Sequence, residues 1–177
     1  MKMNIEELKA HIEKSMNGVD IVAQQLDELV NIVVDKACSE LDNYVAYVKA
    51  LLDDESRPIT DLELDDIVMT LPTLLYFASA NQEISGIRED IARMNENNAF
   101  SNALQDATGT VQEKQSYAKS LIQTETLTTI VYQRATKQIK LRTDTALEVL
   151  QSCKKVLSRR MAELDLSKSA PTKLQQS

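Results

Sequence analysis

Along most of this chain apolar side chains recur every three or four positions, the repeat of helices that bury one face. The first stripe is Ile5, Leu8, Ile12 and Met16. Asn4 is placed to cap it, Glu6 and Glu7 sit in its first turn, and Asn17-Gly18 predicts its end. A second stripe runs Val22, Leu26, Leu29, Val33, Ala37, Leu41, Tyr44, Val48 and Leu51, predicting a long helix from Val19 to about Asp53. The repeat then stops and charge piles up in LDDESRPITD (Leu52 to Asp61), with Pro58 inside, so this is the clearest loop. Thr60 and Glu63 have capping-box spacing and open a short helix through Leu62, Leu64, Ile67 and Val68.

Thr70-Leu71-Pro72 predicts a break, after which Pro72 starts a new helix from its tolerated first-turn position. That helix should reach about Asp106, with the stripe Leu75, Tyr76, Ala80, Ile84, Ile87, Ile91, Met94, then Phe100 and Leu104 more loosely. NENNAFSN (Asn95 to Asn102) is poor helix-forming composition and predicts a kink or fray. Gly109 marks a turn, and Thr110 with Glu113 repeats the capping-box spacing. From Val111 to about Leu166 there is neither Gly nor Pro, which predicts one uninterrupted helix, roughly 80 Å long if straight. Its stripe passes through Ala118, Leu121, Leu127, Ile130, Val131, Ala135 and Ile139, then tightens to coiled-coil steps at Ala146, Val149, Cys153 and Val156. A rod of that length must pair with the preceding helix, another subunit, or both.

The predicted fold class is all-α: an elongated, coiled-coil-like helical bundle with a long C-terminal helix. Three segments are expected: an acidic helical segment (1–57), a helical-hairpin core (58–166) and a flexible tail (167–177). Three Gly, three Pro and 43% apolar residues agree with long helices around a real core. Cys38 and Cys153 fall on apolar stripes, where thiols act as small hydrophobes, and do not form a disulfide framework. The charged N-terminus has no secretory character and no apolar run is long enough to span a bilayer. A cytoplasmic protein without a membrane partner is the expectation.

Candidate chemistry is sparse. His11 is the only histidine, and the three glycines are isolated, so neither a histidine-based metal site, a Ser-His-Asp arrangement nor a phosphate-cradling loop is indicated. The acidic run from Asp53 to Asp66 has Pro58 where a calcium loop needs glycine. No enzyme, metal or cofactor is expected.

Charge alters the picture more than composition does. Residues 1–66 hold 6 basic and 16 acidic side chains, while residues 127–177 hold 10 basic and 4 acidic, within a chain of net charge −7. Plotted on a helical wheel, Arg134, Lys137, Lys140, Lys155 and Arg159 lie opposite Ala135, Ile139, Ala146, Leu150, Cys153, Leu157 and Leu164. Asp144 and Glu148 interrupt this row. Arg142 and Arg160 fall at the margin of the apolar side, where a guanidinium can lie over packed side chains and reach an acidic neighbour. Lys154 and Lys155 complete the cluster SCKKVLSRRM. Such a row is solvated surface, a partner for acidic protein, or a phosphate-binding track; Tyr117 and Tyr132 lie outside it, so no base-stacking platform accompanies it.

The stretch LPTLLYFASANQEISGIREDIARM (Leu71 to Met94), followed by the long helix TIVYQRATKQIKLRTDTALEVLQSCKKVLSRRM (Thr129 to Met161), resembles UvsY-type phage recombination mediators in layout. The shared features are a Pro-initiated helix bearing Leu and Tyr and a closing helix with a Lys/Arg face. The resemblance covers roughly the last hundred residues. It implies a homo-oligomer without catalytic activity that binds single-stranded DNA, with a recombinase or single-strand-binding protein as further partner. It implies phosphate contact by Lys137, Lys140, Arg142, Lys154, Lys155, Arg159 and Arg160. The acidic first 66 residues depart from that pattern. An adaptor or phage assembly protein acting only through protein–protein contacts is the alternative expectation.

Overall fold

The structure, a computed structural model, describes the backbone of residues 5–169 and the side chains of residues 13–166. Among the described residues every element is a helix and there is no strand: α1 (Ile5–Leu52), α2 (Asp61–Asp106), α3 (Val111–Leu121) and α4 (Gln123–Ser169). The protein is an all-α helical bundle. Asn4 and most of the expected tail, and the side chain of His11, lie outside the described residues.

Three expected interruptions are absent. α1 runs through Asn17-Gly18, where an exposed helical glycine costs only about 1 kcal/mol, too little to end a helix of 48 residues. α2 runs through Thr70-Leu71-Pro72. An interior proline costs about 3 kcal/mol. Fully buried Ile67 and Leu71 just before it contribute about 1.5–3 kcal/mol each, enough to hold the helix on course. The Asn-rich stretch from Asn95 to Asn102 is likewise helical throughout.

One interruption was not expected. The single helix foreseen from Val111 onward divides at Ile122, whose backbone (φ −96°, ψ 19°) leaves the helical range. Hydrogen bonds from Ile122 N–H to the Ala118 carbonyl (3.2 Å) and from Thr126 N–H to the Ile122 carbonyl (3.0 Å) continue on either side. Ala118, one turn before the bend, and Ile122 at the bend are both buried. Beyond it the Thr128 and Thr129 hydroxyls donate back to the Thr124 and Glu125 carbonyls, a habit that itself bends helices.

Contacts gather the chain into two compact units, one of residues 1–37 with 83–138 and one of residues 38–82 with 139–177. The cut falls within the long helices. In the first unit the buried side chains are mostly small: Ser85, Ala92, Ala103, Ala107, Ala118 and Ala135, with Val30, Val34, Ile122 and Val131. Ser85 is 2% exposed and hydrogen-bonds Thr136 at 3.1 Å. The Thr136 hydroxyl hydrogen is already directed at the Tyr132 carbonyl (2.9 Å), so Ser85 donates to it. Thr126 donates to Glu96 (2.7 Å) in the same unit.

The second unit has the larger side chains: Leu41, Val48, Leu64, Ile67, Leu71, Ile139 and Leu150, with Cys38, Ala146 and Cys153 among them. Both cysteines are thiols in this core, and burial pushes the Cys153 thiol up. On α4 the expected apolar direction is buried from Ala135 through Ile139, Ala146 and Leu150 to Cys153, but Leu157 is only half-buried and Leu164 is exposed.

On α2 the stripe is reversed. Tyr76, Ile84, Ile87, Ile91 and Met94, which an amphipathic helix would ordinarily turn inward, are exposed. The buried seam is instead Leu71, Ala78, Ser85 and Ala92, spaced by seven. On α1 the expected Leu41 and Val48 are buried, but nearer the N-terminus the buried positions are Val30 and Val34, one residue on from the expected Leu29 and Val33.

Candidate nucleic-acid interface

The eight cations singled out on α4 separate by what holds them. In the first unit, Arg134 and Lys137 are exposed on the side of α4 away from buried Ala135. In the second, Lys140, Lys154, Lys155 and Arg159 are exposed, while Arg142 and Arg160 are half-buried. α4 continues helical from Gln123 through all of them, so side chains on one face share a direction within each unit.

Arg142 and Arg160 behave as their marginal position suggested. Arg142 pairs with Asp42 on α1. Arg160 sends both Nη1 hydrogens into its own unit, one to the Ile59 carbonyl and one to Asp61 Oδ1, each at 2.8 Å. This ties α4 to the last residues of the acidic loop and the first of α2. Arg159 differs, because its only partner among the described residues is Glu163 one turn on, at 2.9 Å, and both side chains stay largely exposed. Arg134, Lys137, Lys140, Lys154 and Lys155 form no ion pair among the described residues. Exposed Asp144 and Glu148 lie between Lys140 and Lys154 along the helix.

The loop that receives Arg160 is built locally. Thr60 and Glu63 form the expected capping box, with Thr60 N–H donating to the Glu63 carboxylate (2.8 Å) and Glu63 N–H to Thr60 Oγ1 (3.3 Å). Arg57 adds a two-pronged hydrogen bond to the same carboxylate (2.9 and 2.6 Å). Arg57 first, then the Thr60 amide and hydroxyl, hold the Glu63 carboxyl down at about 2. Nearby, Tyr44 donates to Asp66 (2.8 Å), and burial with that bond pushes its phenol up to about 12. The second capping box, Thr110 with Glu113, forms as expected beside Gly109, whose φ of 110° needs a glycine.

The acidic run is thus drawn partly inward: Asp61 and Glu63 hold arginines, and Asp66 accepts from Tyr44. No group of three or more His, Cys, Asp or Glu suited to a metal ion occurs among the described residues, and no helix is long and apolar enough to cross a membrane. The described residues form apolar clefts in both units. One, of 560 Å³, lies in the first unit between Phe100, Ile122 and Leu127 with Glu96 and Lys119 at its edges. Another, of 370 Å³, lies in the second unit over Cys153 and Leu64. Sequence reasoning missed both the first cleft and the exposed apolar face of α2. The period of seven in Leu71, Ala78, Ser85 and Ala92 was the available signal for the inner seam.

Comparison with protein-family models, with curated proteins and with solved structures gives no match.

Proposed function

We propose that the protein is a non-enzymatic, self-associating helical accessory protein that contacts single-stranded nucleic acid through the outward cations of α4. The observation that carries this reading is the separation just described. The inward guanidiniums of Arg142 and Arg160 are committed to the protein's own acids, whereas Arg134, Lys137, Lys140, Lys154 and Lys155 face solvent without an ion pair among the described residues. A lysine face of this kind binds backbone phosphates with little sequence preference, and binding should weaken steeply with salt. The resemblance to UvsY-type mediators points the same way and would add a recombinase or a single-strand-binding protein as partner.

The test is binding of a labelled single-stranded oligonucleotide across a salt series. Affinity should fall by roughly 0.7 log units per log unit of salt for each phosphate neutralised. Lys154→Glu with Lys155→Glu should lower both affinity and slope. Absence of binding at low salt, or binding indifferent to that pair, would remove the reading.

One observation favours a second reading, an assembly or adaptor protein that works only through other proteins. Large apolar side chains stand exposed on several helices, among them Val19 and Ile32 on α1 and Ile87 and Met94 on α2. Self-association without nucleic-acid binding would select this alternative.

A further inference from the structure

On α2 the side chains Ile84, Ile87, Ile91 and Met94 step by three, four and three residues, the spacing of a and d positions in a heptad. Each is about half exposed, between 47% and 56%. The same helix buries Ser85 and Ala92 in its own unit, so this is a second seam on a helix that already has one. Water is a poor neighbour for three isoleucines and a methionine aligned over three turns.

The charges beside the seam select what fits it. In this register Arg88 takes an e position, and Glu83 and Asp90 take g positions. All three are exposed, and none forms an ion pair or side-chain hydrogen bond among the described residues. When two such helices pair in parallel, each g position faces an e position of the other copy five residues on. Glu83 then meets Arg88 of the second copy, and symmetry makes the same bridge again. In an antiparallel pair g faces g and e faces e, which sets Glu83 and Asp90 against each other and Arg88 against itself.

We propose that this seam is where the protein associates with itself, α2 of one copy lying parallel to α2 of another with Glu83–Arg88 bridges across the junction. The proposal rests on the self-association in the function proposed above and gives it a surface and a polarity. Isoleucine at both a and d positions favours more than two strands over a simple pair.

Sedimentation equilibrium on the full chain tests it. Wild type should show concentration-dependent mass above that of one chain. Arg88→Glu places Glu against Glu83 and should weaken association about tenfold or more, as should Glu83→Arg, since each replaces every attractive exposed pair along the seam, at least two, with a repulsive one. The combined Glu83→Arg/Arg88→Glu variant re-forms the bridges in reverse and should recover wild-type mass. Ile87→Asp should leave monomer. Because a charge in an apolar seam can also disturb folding, the exposed charge swap is the decisive arm, with helicity checked by circular dichroism. Oxidised Ile87→Cys should give a disulfide-linked species on a non-reducing gel, as equivalent d positions face one another only in the parallel arrangement. A wild-type oligomer whose mass none of these changes moves overturns the surface and leaves self-association standing. A chain monomeric at every concentration overturns both. A double swap as weak as either single variant overturns the parallel pairing.

Discussion

Arg160 is the side chain on which the structural and phosphate-binding accounts of α4 part most sharply. One of its nitrogens bonds both the Ile59 carbonyl and Asp61 at 2.8 Å, and the side chain is 30% exposed. Arg160→Ala removes two hydrogen bonds from a charged donor and leaves the Ile59 carbonyl of a half-buried residue without that partner. A charge-assisted bond contributes about 1.5–3 kcal/mol when shielded, and exposed pairs contribute less than about 1. With Asp61 more than half exposed (55%), the sum should be about 1–2 kcal/mol. Arg160→Lys keeps the charge but not the two-hydrogen fork and should lose at least half of that. Urea unfolding followed by circular dichroism gives the stability, and the oligonucleotide titration gives affinity for the same variants. Arg160→Ala should cost stability and change affinity little, while Lys154→Ala with Lys155→Ala should do the opposite. An Arg160→Ala protein of wild-type stability and much reduced affinity would refute the division of the cations.

Three further outcomes are expected. The Glu63 carboxyl, held at about 2 against an ordinary 4.5, stabilises the fold fully above pH 4.5 and less as pH falls toward 2. Thermal melts of Glu63→Gln should therefore be less pH-dependent than wild type in that window. Gly109→Ala forces a Cβ into a left-handed backbone and to 2.7 Å from the Glu113 carboxylate, so it should cost about 1–2 kcal/mol and loosen the start of α3. At the inner seam, Thr136→Val removes the acceptor of buried Ser85 and should destabilise by about 1–2 kcal/mol, more than Ser85→Ala. The double variant should recover part of that loss in a denaturation cycle.

What could be read from the sequence was local. Both capping boxes, the loop after α1, the turn at Gly109 and the buried direction of α4 from Ala135 to Cys153 depend on a few neighbouring residues, and all are found in place. The guanidiniums of Arg142 and Arg160 also reach acids as their position at the apolar margin suggested. What failed required knowledge of partners. On α1, Leu29 and Val33 are as apolar as Val30 and Val34, so periodicity alone does not choose between adjacent seams. On α2 the larger side chains drew attention to the outer face, whereas the helix packs through Ala78, Ser85 and Ala92. The bend at Ile122 carries neither Gly nor Pro, so no local breaker announced it. Of the candidate site, the exposure of each cation was legible; its commitment to a particular carboxylate was a tertiary fact.

The two cysteines lie in one unit, and the sequence places none in the other. The molecule thus contains a one-sided alarm. Cys153 borders a cleft, but Cys38 is 1% exposed, so a thiol reagent should reach Cys38 chiefly when the second unit opens, and the rate of that reaction measures how often this happens. Set beside global denaturation, that rate reveals whether the halves melt together or one lets go first.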